Sequence, residues 1–114
     1  MIASHSGKDG LIPEISAQEL LKCVPEIFEL CEVDAVEPYN IDSTNVTPDH
    51  WRLLAQTIKD NYDKFDGFVI LHGTDTMAYT ASAVTYMLPN IDLPVVFTGS
   101  QLPLADILSD GPDN

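Results

Sequence analysis

Gly67–His72 reads GFVILH, an uninterrupted apolar run with a glycine at its start and another, Gly73, just beyond its end. A strand that shows one face to water alternates apolar and polar residues. A run without alternation fits a strand buried on both faces, the habit of parallel sheets covered by helices. Leu93–Thr98 has the same character and ends in Gly99. Parallel strands cannot be joined by a tight turn, so a crossover of about a dozen residues or more must separate them. Thr76–Leu88 supplies it, and Ala78, Ala81 and Ala83 would let that helix approach the sheet closely.

The rest of the chain is read against that βαβ unit. Thr47–Pro48 is an N-cap followed by a first-turn proline, and Trp51, Leu54, Ala55, Ile58 and Tyr62 recur at helical spacing, which predicts a helix from Pro48 to Asp63. Val33–Ile41 mixes β-branched and acidic residues and is expected to be a short strand, with Pro38 pushing it toward an edge. Ser16 and Glu19 have capping-box spacing, and Leu20, Val24, Ile27 and Cys31 share one helical face that Pro25 should break or restart. The opening MIASHSGKDG lacks periodicity and is expected to be a loop, as are the stretches around Pro103, Gly111 and Pro112. The order helix, strand, helix, strand, helix, strand predicts an α/β fold with a mostly parallel sheet and right-handed crossovers.

With 114 residues the chain is sized for one domain, and 45% hydrophobic against 20% charged residues is a globular balance. Lys plus Arg number 5 against 18 Asp plus Glu, a formal charge of −13 that repels nucleic acid and anionic membrane surfaces. No apolar run approaches the roughly 18 residues of a membrane span, and Met1–Gly10 has neither a basic nor an apolar leader region, so a protein that is neither exported nor membrane-bound is expected. Cys23 and Cys31 are too few for a disulfide scaffold and read as reduced structural thiols. His5, placed in a loop, and His50, on a solvated helix, lack partners at metal-ligand spacing, and Asp49, Asp60 and Asp63 read as a solvated helix face.

In open α/β sheets ligands bind beyond the carboxyl ends of the strands, which selects Asp42–Ser43, the motif His72–Met77 (HGTDTM), and Thr98–Gln101 (TGSQ). Thr74 and Asp75 would share a small polar site at a helix N-terminus. The hydroxyl could act as a nucleophile once a base takes its proton, and the carboxylate could bind a substrate ammonium or orient a lysine. On spacing alone, a helix cap by Asp75 or Thr76 explains the motif better. Asp42–Ser43–Thr44 is likewise better explained, taken alone, as an Asx or ST turn, and TGSQ by itself is a weak signal.

Three hydroxyl-bearing motifs at successive strand ends are harder to dismiss than one. The stretch DGFVILHGTDTMAYTASAVTYML…PVVFTGSQLPL closely resembles the L-asparaginase family, in particular its bacterial type I, cytoplasmic branch. The likeness extends to SDGPDN at Ser109–Asn114 and back through IDSTNVTPDHW to GLIPEIS. The resemblance implies a flavodoxin-like N-terminal domain of which residues 1–114 are a part, incomplete at both ends. It implies hydrolysis of L-asparagine to L-aspartate and ammonia through a threonine acyl-enzyme, with no cofactor or metal, in a cytoplasmic homo-oligomer, a dimer or tetramer.

By the same resemblance Thr74 is the second catalytic threonine and Asp75 contacts the substrate α-amino group and completes a threonine–lysine–aspartate constellation. Ser43, with Asp42 beside it, binds the substrate α-carboxylate, and the Ser100 backbone contacts the side-chain amide. The family's first strand, with its TGGTI-type motif, and its catalytic lysine have no counterpart in these residues. Two other expectations stand beside this one: the asparaginase-like subunit of a tRNA-dependent amidotransferase, and a truncated, non-catalytic module.

Overall fold

The computed structural model describes residues 4–7, 10–13 and 16–100. The elements are β1 (Ser4–Gly7), β2 (Gly10–Pro13), α1 (Ala17–Leu21), α2 (Ile27–Leu30), α3 (Pro48–Asn61), β3 (Phe68–Leu71), α4 (Met77–Met87) and β4 (Val95–Thr98). β3 and β4 pair in parallel, Phe68 opposite Val95 through Leu71 opposite Thr98, with α4 as the crossover. The βαβ unit expected from the two apolar runs is therefore present.

Helix α3 begins where its sequence says. Pro48 takes the first helical position, and His50 Nδ1 accepts from the Thr47 N–H at 3.0 Å, doing the work usually given to Glu or Gln in a capping box. His50 also packs edge-on against Tyr39, ring centroids 4.9 Å apart, so it belongs to a helix cap and a half-buried contact rather than to a solvated face. Asp49, Asp60 and Asp63 are exposed, as expected. Leu54, Ala55 and Ile58 on α3, with Val84 on α4 and Leu88 just past it, are the buried core. Phe68, Ile70, Val95 and Phe97 pack on it from the sheet. Trp51 Nε1–H donates to Thr80 Oγ1 at 3.0 Å, which ties α3 to α4 and satisfies a fully buried hydroxyl.

Four further expectations are corrected. Ser4–Gly7 is not loop but one arm of an antiparallel hairpin with Gly10–Pro13, because a main-chain ladder forms without the apolar alternation that makes a strand visible in sequence. Val33–Ile41 is not a strand: it carries no ladder among the described residues, and a strand exists only through a partner. The two apolar runs are not buried on both faces, since Val69, Leu71 and Val96 are 65, 42 and 52% exposed. Cys23 and Cys31 are free and exposed, so they are not structural thiols of a core. The Ser16–Glu19 box does form, Ser16 N–H donating to Glu19 Oε2 at 3.0 Å and Glu19 N–H to Ser16 Oγ at 3.3 Å. The helix then stops at Leu21 and restarts at Ile27, just past Pro25. The loops expected around Pro103, Gly111 and Pro112 lie outside the described residues.

Candidate functional site

The parallel register sets the site. His72 N–H donates to the Thr98 carbonyl at 2.9 Å, so both strands end at the same level and the segments that follow them lie side by side. Gly99 makes the approach possible: a Cβ there would fall 2.1 Å from the His72 carbonyl oxygen and 2.8 Å from Met77 Cε. Ser100, half-buried, follows directly at this end of the sheet.

The loop before α3 closes the same end from the other side. Asp42 Oδ1 accepts from the Thr44 N–H at 2.9 Å and from the Thr44 hydroxyl at 2.8 Å, which fixes a 3₁₀ turn over Ser43–Asn45. Asp42 is thus a turn former, the simpler of its two expected roles. The turn buries Ser43 to 2% exposure and aims its hydroxyl at Asp75 Oδ2, to which it donates at 3.2 Å. Thr76 Oγ1 donates to the Ser43 carbonyl at 2.7 Å.

Two bonds therefore join segments more than thirty residues apart, and neither is a helix cap. The capping explanation of Asp75 and Thr76 fails on this geometry: Thr76 is the N-cap residue of α4 by position, yet its side chain makes no capping bond. Spacing within the motif did not reveal the Thr76 role, because a hydroxyl at a helix start looks the same in sequence whether it turns inward or outward. Thr74 and Asp75 are exposed.

His72 is a second residue whose role the sequence did not reveal. It is 5% exposed, its Nδ1 lies 2.7 Å from the Gly73 carbonyl oxygen, and its Nε2 is buried without a hydrogen-bond partner. Burial lowers its pKa from the ordinary 6.5, with the Gly73 hydrogen bond opposing that shift.

A cavity of about 30 Å³ lies between Tyr39, Ile41, Ser43 and Val46 on one side and Leu71, His72 and Gly73 on the other. Thr74 and Asp75, which follow Gly73 in the chain, are exposed. A larger hollow of about 240 Å³, lined by Ile58, Lys59, Tyr62, Leu88 and Ile91 among others, opens at the far ends of α3 and α4, away from these groups. Among the described residues no cluster of three or more His, Cys, Asp or Glu could hold a metal ion.

The Asparaginase, N-terminal family matches residues 1–114. The chain belongs to the asparaginase family. L-asparaginase 1 of Escherichia coli (strain K12) is 60% identical over 74 residues, 65% of this chain and 22% of that protein. The crystal structure of a probable cytoplasmic L-asparaginase from Campylobacter jejuni superposes with a TM-score of 0.80 at 38% identity, covering 99% of this chain and 33% of that one. A glutamyl-tRNA(Gln) amidotransferase component from Saccharolobus islandicus (strain M.14.25 / Kamchatka #1) is 43% identical over 90 residues, 78% of this chain and 20% of that protein. The chain thus spans a third or less of the length of each. The mixed helix and strand fold with its parallel pair is that of asparaginase N-terminal domains. No helix among the described residues is long and apolar enough to cross a membrane.

Proposed function

We propose that residues 1–114 are part of the N-terminal domain of an L-asparaginase, and that the full-length protein hydrolyses L-asparagine to L-aspartate and ammonia. The observation that carries this is the Ser43–Asp75 hydrogen bond of 3.2 Å, which sets a hydroxyl and a carboxylate together at the sheet's carboxyl end in a chain of this family. Such a pair suits an amino acid, whose ammonium needs an acceptor and whose carboxylate needs a donor. Asp75 receives the substrate ammonium, and the Ser43 hydroxyl, a free rotor, turns its proton to the substrate carboxylate. Asp42 holds the turn that presents Ser43, and the Ser100 backbone receives the side-chain amide.

The chemistry is two acyl transfers. A threonine oxygen attacks the amide carbon, the C–N bond breaks, and ammonia leaves with the proton that the hydroxyl gave up. Water then cleaves the ester to release aspartate. Thr74 supplies one catalytic hydroxyl. By the family resemblance the principal nucleophile and the lysine come from outside these residues, so the isolated chain is expected to be inactive. The reading needs no cofactor, and takes the full-length protein to be a cytoplasmic homo-oligomer.

The similarity to an amidotransferase component gives a second reading, in which the released ammonia passes to a partner. A charge of −13 on this segment counts against its touching tRNA itself.

The test is ammonia release from L-asparagine by the full-length protein. Asp75→Asn should lower kcat/KM about 10²-fold, the scale of a lost charge-assisted hydrogen bond of about 2–3 kcal/mol. Asp63→Asn, a change at an exposed residue, should leave it unaltered. Equal kinetics for the two variants would remove Asp75 from the site.

A further inference from the structure

His72 takes no part in the chemistry above, yet it is the most deeply buried ionisable side chain next to the site, 5% exposed directly before the turn that holds Thr74 and Asp75. Its protonation state follows from geometry. The Gly73 carbonyl oxygen, 2.7 Å from Nδ1, can only accept, so Nδ1 must carry the hydrogen; a bare Nδ1 would face a second lone pair at that distance. Nε2 has no hydrogen-bond partner and is buried. A proton there would leave both a charge and an unsatisfied N–H inside the protein, whereas a bare acceptor is the cheaper orphan.

The anchor of this imidazole is stiff. The His72 N–H is held by the Thr98 carbonyl at 2.9 Å, Gly99 lies close enough that a Cβ there would fall 2.1 Å from the His72 carbonyl oxygen, and the His72 ring lies against Phe97, centroids 6.3 Å apart. Residue 73, by contrast, is a glycine with no side chain to restrain it, at the point where the chain leaves β3 and turns into α4. Thr74 and Asp75 come next.

We infer that His72 is a positioning residue: fixed as the neutral Nδ1–H tautomer, it clamps the Gly73 carbonyl and so sets the turn that presents Thr74 and Asp75. What the turn presents them to rests on the asparaginase reading; the tautomer and the clamp do not. Asparagine and glutamine separate the two ring nitrogens, since the Asn Nδ2–H reaches about where Nδ1–H lies and the Gln amide reaches about where Nε2 lies.

The experiment uses the full-length protein with ¹⁵N-labelled histidine, and the variants His72→Asn and His72→Gln. Expected is one histidine with Nδ1 protonated and Nε2 bare, whose signals vanish in both variants. The Thr74 and Asp75 amide resonances should stay in place in His72→Asn and move in His72→Gln. With L-asparagine, His72→Gln should lose about 10²-fold in kcat/KM, through both kcat (Thr74) and KM (Asp75), the scale of a small misplacement of site groups, while His72→Asn recovers most of it. An Nε2–H tautomer or a charged imidazole at His72 overturns the inference, and so do equal losses for Asn and Gln. If the wild-type protein releases no ammonia from asparagine, the functional reading falls, and the tautomer and the Thr74 and Asp75 resonances still decide the clamp.

Discussion

The two faces of the β3–β4 pair are built from the same residue types and meet opposite fates. Phe68, Ile70, Val95 and Phe97 point into the helices and pack on Leu54, Ile58, Val84 and Leu88. Val69 and Val96, opposite each other across the ladder, and Leu71 point away and stand 65, 52 and 42% exposed. Hydrophobicity alone therefore does not make a core in this chain; the covering layer does. One face has α3 and α4, and the other has no described element of comparable size against it. The packed face fixes the position of the strand ends, and through them the site.

The sharpest way to break this comparison is to cut one side chain on each face. Ile58 is 2% exposed, and Ile58→Ala should destabilise the fold by about 2–5 kcal/mol, the lost transfer energy plus a cavity. Val69→Thr exchanges a largely exposed methyl for a hydroxyl and should stay within about 0.5 kcal/mol in the chain by itself. Urea unfolding of the two variants measures both. In a full-length asparaginase, where the GFVILH pattern leads one to expect cover on both faces, Val69→Thr should instead be clearly destabilising. A Val69→Thr effect of the same size in the two contexts would mean that this face is open in both.

What could be read from the sequence was what is settled locally. The α3 start needed only Thr47 and Pro48, the βαβ unit only two apolar runs at crossover spacing, and the Ser16–Glu19 box only its three-residue interval. What failed depends on a partner distant in the chain. Val33–Ile41 has strand-forming residues and nothing to pair with among the described residues, and Ser4–Gly7 has none of the pattern and pairs through its main chain. The site divides in the same way. The Asp42 turn was among the expectations because Asx turns are local, whereas the Ser43–Asp75 bond spans 32 residues; the strand-end rule and the family likeness bring the two residues to one end of the sheet but do not specify the bond between them. His72 and the inward hydroxyl of Thr76 were invisible because burial and side-chain direction, not residue type, give them their roles.

A second comparison runs along the ladder, between the end that carries the proposed site and the end that does not. At the site end, Gly99→Ala would drive its methyl to 2.1 Å from the His72 carbonyl oxygen, a backbone atom that cannot move without disturbing the strand pairing. The expected cost is about 1–3 kcal/mol. At the other end, Gly67→Ala meets Pro94 Cγ at 2.9 Å, a ring atom that can shift by repuckering, so its cost should be smaller. Gly99→Ala should also lower kcat/KM in the full-length protein while Gly67→Ala does not. Equal effects at both ends would show that the close approach at Gly99 does not position the site.

The smallest expected contrast lies within one turn of α3, between neighbours that point to opposite sides. Trp51 hands its Nε1–H to Thr80 Oγ1 at 3.0 Å, and Thr80 is fully buried on α4. Trp51→Phe keeps an aromatic ring but removes that donor, leaving a hydroxyl with one bond fewer, and should cost about 1–1.5 kcal/mol. Arg52, next in sequence, pairs with Asp49 on the solvent side, where the two side chains are 68 and 84% exposed. Water screens that pair and holding two mobile side chains together costs entropy, so Arg52→Ala should change stability by less than about 0.5 kcal/mol. Raising the salt concentration should shrink the Arg52 effect further and leave the Trp51 effect unchanged, because the Trp51 bond joins neutral groups in the half-buried seam between α3 and α4. An Arg52→Ala loss as large as that of Trp51→Phe would mean that the outer face of α3 is not the solvated surface it is here, and that the division between a covered and an open side does not extend from the sheet to the helices.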